Sequence, residues 1–268
     1  MGTDEYRKPS DLTRLTERQR ELVDAIDPTP LARCRAAQGL LMLPELAIAA
    51  GVDPERDVER NIRPAAGILE RALELDDSAL SQRRPMGQRV LGTCRHFAVL
   101  SCAFLRARDI PARARCGFET YFRPGFHNDH WITEYWDGTR WVRIDSEVLG
   151  MNIVDHPEDL APGRFLTGAE AWAEYRAGAD PQTFGVHGTD NWGAAEIVGN
   201  AIRDLAALNN VEMLPWDEWG PMRECYANGL SPEIASLMDD LVSATRADDE
   251  GAIVRLYASL EVPAALVV

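Results

Sequence analysis

The chain has 268 residues, 46% hydrophobic and 26% charged, a globular composition with room for a sizeable core. Its net charge of −15 and pI near 4.8 argue against nucleic acid as a partner, because phosphate binding needs a basic footprint; they suit a neutral or cationic substrate, or simply a well-solvated surface. No apolar run nears 18 residues and the start, Met1 to Lys8, is polar, so a cytoplasmic protein without export signal or membrane contact is expected.

Residues 1–80 read as helical. Ser10 or Thr13 is a cap candidate for a helix through Leu15, Leu22, Val23 and Ile26 that ends at Asp27-Pro28. Leu31 to Leu43 and Asp57 to Leu75 keep the helical period, with Pro64 as a break or a helix start. In residues 81–150 the pattern changes. An apolar helix opens at Cys94, with Thr93 able to cap it and Phe97, Leu100, Ala103 and Phe104 in helical period. Strands are expected at Ala112 to Phe122, His130 to Trp136 and Arg140 to Asp145. Residues 151–268 return to helix at Ala169 to Arg176, Ala194 to Leu208, Pro232 to Ala247 and Gly251 to Leu260. The loops Asp155 to Gly168 and Gly178 to Trp192 are rich in Gly, Pro and Asp. The three regions are expected to pack as one compact α+β unit, a helix on a short antiparallel sheet with helical additions at both ends.

Cys94, His130 and Asp145 stand in that order on these elements. A thiol nucleophile needs a base, and the base needs something to orient it. Asp137-Gly138 between the last two strands is a hairpin signal. A two-residue loop there pairs Trp136 with Thr139, Glu134 with Trp141, Ile132 with Arg143 and His130 with Asp145. Opposed residues have Cβ atoms roughly 4.5–5.5 Å apart, close enough for a carboxylate to fix the imidazole tautomer. A one-residue slip would send the pair to opposite faces; a longer loop with a bulge is the alternative. At the helix start, the dipole favours a thiolate on Cys94, and orphan N–H groups can hold an oxyanion.

The runs Gly92-Thr93-Cys94-Arg95, Asp109-Ile110-Pro111-Ala112-Arg113, His130-Trp131 and Trp141-Val142-Arg143-Ile144-Asp145 together resemble the transglutaminase-like cysteine enzyme superfamily, over about residues 85 to 150. The resemblance implies a papain-like cysteine-enzyme core. It also implies Cys94 as nucleophile, His130 as its base and Asp145 as the group that orients the base. Two departures stand out. Trp131 follows His130 at once, where the family usually has an aromatic two residues on, and Asp145-Ser146-Glu147 replaces a frequent Asp-Pro.

The expected activity is acyl transfer through a thioester acyl-enzyme on an amide-type substrate, by hydrolysis or by transfer to an amine. The substrate would be a peptide, a protein or a small amide or amine, and no cofactor is required. Arylamine N-acetyltransferases share the Cys, His, Asp order, but their Arg-Gly-Gly before the Cys and Gly-rich run after the Asp are missing; they are the alternative. A non-catalytic transglutaminase-like interaction module is a third reading, which the complete triad opposes. Papain-type spacing is excluded, since it places the His roughly 130 residues after the Cys.

Gln88 is either an oxyanion amide donor or a solvated loop glutamine. Glu134 should share a strand face with His130 and either reads a substrate amine or pairs with an arginine. Trp131, beside His130, is a candidate substrate contact. Trp192, Trp216 and Trp219 either wall a cleft or pack the C-terminal region on the core. His96, His127 and Asp129 crowd the motifs, but no zinc-type spacing accompanies them, so no metal is expected and His96 reads as a supporting or core histidine. Five cysteines at irregular spacing exclude a disulfide framework; Cys34 and Cys102 read as buried thiols and Cys116 as a strand residue.

Overall fold

The structure is a computed structural model and describes residues 3–266. These divide into two compact units. One comprises Thr3–Ala114 and Ile132–Leu160, the other Arg115–Trp131 and the chain from Ala161 onward.

In the first unit, α1 (Glu17–Asp24) is capped by Thr16. The Thr16 hydroxyl accepts the Gln19 N–H at 3.2 Å while the Gln19 side chain accepts the Thr16 N–H at 3.0 Å, a reciprocal capping box. The expected caps lie upstream. Thr13 is buried instead and accepts from Arg106 at 2.9 Å. Helix α2 (Pro30–Leu40) starts with proline in its first turn and stops short of Leu43, because Leu41 turns extended into β1 (Leu41–Met42). Strand β1 pairs in parallel with β2 (Val90–Leu91). The expected helix from Asp57 splits into a 3₁₀ segment, Pro54–Asn61, and α3 (Ala65–Leu75), which begins directly after Pro64. Helix α4 (Cys94–Arg106) is buried from Arg95 to its end. Its Phe97, Leu100 and Phe104 pack with Val23, Leu40, Ile68 and Leu69 from the first three helices. Each such side chain contributes about 1.5–3 kcal/mol by burial.

Strands β3 (Ala112–Glu119), β4 (His127–Trp136), β5 (Trp141–Ile144), β6 (Phe165–Thr167) and β7 (Phe184–Gly185) form one sheet in the order β5-β4-β3-β6, with β7 also on β4. The pairs β4–β5 and β3–β6 are antiparallel, and β4–β7 is parallel. Strand β3 stops three residues before the expected Phe122, and β4 starts three before the expected His130. The hairpin register also differs from the expected one. Trp136 pairs with Trp141, Glu134 with Arg143 and Thr133 with Ile144. The loop is therefore four residues, not two, and β5 is shifted by two. The cause is Asp137, whose Oδ1 accepts from the N–H and hydroxyl of Thr139 (2.7 and 2.8 Å) and the N–H of Arg140 (2.8 Å).

The second unit is built on α6 (Ala194–Leu208), buried from Glu196 to Leu208. Helix α5 (Gly168–Arg176) starts against it. A side chain at Gly168 would meet Ala201 Cα at 2.3 Å, so only glycine allows this approach. Asp204 of α6 takes Arg115 through both carboxylate oxygens (2.9 and 2.7 Å) and also accepts the Cys116 N–H at 2.9 Å, tying the helix to β3. Helices α7 (Gly220–Asn228), α8 (Pro232–Arg246) and α9 (Glu250–Ser259) follow. Helix α7 is not among the helices expected from the sequence. Among the described residues, no helix is long and apolar enough to cross a membrane.

Candidate active site

Cys94 is the first residue of α4 and is half-buried; Cys34, Cys102, Cys116 and Cys225 are buried. Burial pushes the Cys34 thiol up to about 12 and raises that of Cys225. Cys94 is therefore the thiol with access to a reactant.

The approach to Cys94 is held on both sides. The Gly92 N–H donates to the Met42 carbonyl at 3.0 Å. The Leu91 N–H donates to the Glu59 carboxylate at 2.9 Å. Glu59 is buried and accepts from Arg56 and Arg71, each at 2.8 Å. Burial pushes its carboxyl up, but the hydrogen bonds from Arg56, Leu91 and Arg71 outweigh it and hold the group below the usual carboxylate range. At the helix start, His96 reaches back, and its Nδ1 accepts the Thr93 N–H at 3.0 Å. His96 is thus a capping residue of the helix that bears Cys94. A Cβ at Gly92 would lie 2.8 Å from the His96 Cβ, so this close packing requires glycine. Burial, with the adjacent Arg95 charge, lowers the His96 pKa to about 3, and the ring is neutral. No acidic side chain sits in the first turn of α4, so the helix end keeps its positive field for a thiolate or oxyanion.

His130 lies on β4 and is 2% exposed. The rings of Phe122 and Tyr121 stand edge-on to its imidazole, centroids 5.5 and 6.4 Å away. Asp145 follows β5 directly and is buried. Its N–H donates to Pro157 O at 2.8 Å, and its Oδ1 accepts the Glu147 N–H at 3.0 Å. Gln38 of α2 donates to the carbonyls of Glu147 and Leu149, both at 2.9 Å, and so staples this segment.

A Cys94 sulfur, a His130 ring nitrogen and a Glu147 carboxylate oxygen lie within 4.8 Å of one another. Glu147 and Gln38 are the residues that sequence reasoning passes over. Glu147 lies three residues beyond the end of β5, in the segment that Gln38 holds, and no spacing in the sequence marks it. Thiol, imidazole and carboxylate suit nucleophilic catalysis, and they are also donors that can hold a metal ion such as zinc.

The remaining candidates fall elsewhere. Glu134 is 2% exposed and bound to Arg113 (2.7 Å) and Arg143 (3.0 Å), the arginine-paired of its two readings. Trp131 and Trp219 are buried, so neither presents surface to a substrate. Trp216 is exposed, and the half-buried Trp192 donates to Thr189 O and packs on Phe126. Gln88 is exposed in the turn Met86–Gln88. His127 stacks on Phe184 with centroids 4.1 Å apart, and burial lowers its pKa.

Residues 73–146 match the family model of the Transglutaminase-like superfamily, a stretch that contains Cys94, His130 and Asp145. Among solved structures, the chain is similar to a proposed cysteine protease from Cytophaga hutchinsonii, at 19% identity, over 53% of this chain and 41% of that one, with a TM-score of 0.35. The chain thus spans less than half the length of that protein. No curated protein matches it.

Proposed function

We propose, from the match of residues 73–146 to the Transglutaminase-like superfamily, that the protein is a cysteine enzyme acting on amide-type acyl bonds through a thioester. The observation that carries the reading is the approach of the Cys94 thiol to the His130 imidazole at the start of a buried helix. The Cys94 thiolate attacks the carbonyl carbon. Backbone N–H groups at the start of α4 hold the oxyanion. His130 protonates the departing amine as the tetrahedral adduct collapses, and the acyl group remains on sulfur. Water, deprotonated by His130, then releases an acid; an amine in its place gives a new amide. Asp145 orients His130 throughout. The substrate class is a peptide, a protein or a small amide, and the cycle needs no cofactor.

The test is the rate of Cys94 alkylation by iodoacetamide against pH, followed by peptide mapping, in wild type and His130→Ala. Rapid labelling well below the free-thiol pKa of roughly 8.5, slowed by His130→Ala, is expected. Ordinary thiol reactivity that ignores the substitution would overturn the reading.

A further inference from the structure

One buried carboxylate organises the connection between β3 and β4. Glu119 ends β3 and is fully buried. Its Oε2 accepts the N–H groups of Tyr121 (2.5 Å) and Phe122 (2.7 Å), and its Oε1 accepts from the Asn128 side chain at 2.5 Å. Three donors converge on one charged group, each a charge-assisted bond, and fix the backbone on both sides of the loop.

The clamp has a directional result. It sets Phe122 with its ring at 89° to the His130 imidazole and 5.5 Å from it, and Tyr121 at 85° and 6.4 Å. His130 itself is 2% exposed, whereas Phe122 is 41% exposed. Phe122 therefore joins the proposed base to open solvent. A lone exposed phenylalanine is ordinary when its loop is free. Here the backbone is pinned, the ring is seated on the base, and its remaining surface is apolar. Further along the loop, the Arg123 guanidinium stacks on Phe126, 3.6 Å from the ring centroid. The same loop thus holds a cation against a different ring.

We infer that Phe122 is the specificity wall of the acyl-donor site, and that it receives an apolar, preferably aromatic, side chain of the residue whose carbonyl Cys94 attacks. This rests on the proposed Cys94–His130 chemistry. His130 must lie beside the scissile bond to protonate the leaving amine. A ring in edge contact with His130 is then within one side-chain length of that bond. A substrate ring there gains by covering exposed apolar surface. Tyr121 backs the imidazole, and Glu119 acts as a positioning residue by holding the loop.

The test uses the full chain and two electrophiles with one warhead, N-acetyl-phenylalanyl chloromethyl ketone and N-acetyl-glycyl chloromethyl ketone. Their second-order rates at Cys94 are compared by peptide mapping. Wild type should prefer the phenylalanyl probe by about tenfold or more, the usual worth of an apolar side chain in a matching pocket. Phe122→Ala should bring the ratio close to one, and Phe122→Leu should keep part of it. If Phe122→Ala does not fold, the Phe122→Leu ratio decides. An activated Cys94 with no side-chain preference, or a preference that survives both substitutions, overturns the inference and leaves the Cys–His reading standing. A Cys94 that reacts with both probes no faster than an unfolded thiol overturns the Cys–His reading and this inference with it.

Discussion

The Nδ1 of His96 accepts the Thr93 N–H at 3.0 Å, so the third residue of α4 caps the start of the helix that carries Cys94. An acceptor there must be unprotonated, and burial keeps it so by lowering the pKa to about 3. The unfolded chain has its imidazole near pKa 6.5 and binds a proton below that pH which the folded chain does not. Stability from His96 is therefore complete above about pH 6.5 and falls as the pH drops toward about 3. His96→Gln supplies a capping acceptor without a titrating ring. Its melting temperature should fall less than that of wild type between pH 7 and pH 4. His96→Ala should cost about 2–3 kcal/mol from the lost cap and the cavity. Equal acid slopes in wild type and His96→Gln would sink the assignment.

Two carboxylates compete for the role of orienting His130, and they should differ in weight. Asp145 is fixed by its own N–H to Pro157 and by the Glu147 N–H on its Oδ1. Glu147 lies within 4.8 Å of both the Cys94 sulfur and a His130 nitrogen. A charge so placed helps an imidazolium and opposes a thiolate by similar amounts, on the order of 3 kcal/mol each at an effective dielectric of about 20. The two effects largely cancel. Asp145→Asn should therefore slow turnover, or Cys94 alkylation at neutral pH, by about 10³-fold or more, as loss of an orienting acid does. Glu147→Gln should cost about tenfold or less. The reverse order would make Glu147 the orienting group.

How much of this was legible follows from where the information lies. The start of α4 could be read because its cap, its apolar period and its cysteine are local. Helix α6 could be read to the residue, since its apolar face is continuous from Ala194 to Leu208. The hairpin register could not, because Asp137-Gly138 is a two-residue turn signal that the Asp137 side chain overrides by binding Thr139 and Arg140. That single side chain lengthens the loop to four residues and moves the β5 register by two. The shift is even, so the face was still right. The contacts of Gln38 and Glu59 join segments far apart in sequence, and no spacing announces them. Strands β1 and β2 have two residues each and carry no period.

Glu196 should give the protein a pH dependence opposite to that of His96. It is buried in α6, accepts the Tyr226 hydroxyl at 3.1 Å, and burial pushes its pKa up to about 7. An unfolded glutamate ionises near 4.3, so between about pH 4.3 and 7 the folded chain holds the proton that the unfolded chain has lost. Stability is then highest below that window and decreases across it, by roughly 3 kcal/mol if the whole shift is expressed. The His96 and Glu196 windows overlap and oppose, so the wild-type profile conceals both. Glu196→Gln keeps an acceptor for Tyr226 and should gain stability over wild type at pH 8 relative to pH 5, by chemical denaturation at each pH. A constant offset at both would show that Glu196 does not titrate in that range.

Zinc should block Cys94. The sulfur, nitrogen and oxygen donors of Cys94, His130 and Glu147 lie within 4.8 Å, and tetrahedral zinc accepts all three types at about 2.0–2.3 Å. Closing onto an ion requires movements of about an ångström, within reach of side-chain adjustment. Magnesium prefers oxygen ligands and keeps its waters, so it should have no effect. The measurement is Cys94 alkylation in the presence of graded Zn²⁺, then after addition of a chelator. Zinc should protect Cys94 reversibly, and His130→Ala and Glu147→Gln should each raise the concentration required, His130→Ala the more. Protection equally strong in both variants would mean capture by the thiol alone, and the three residues would then not act together as a metal site.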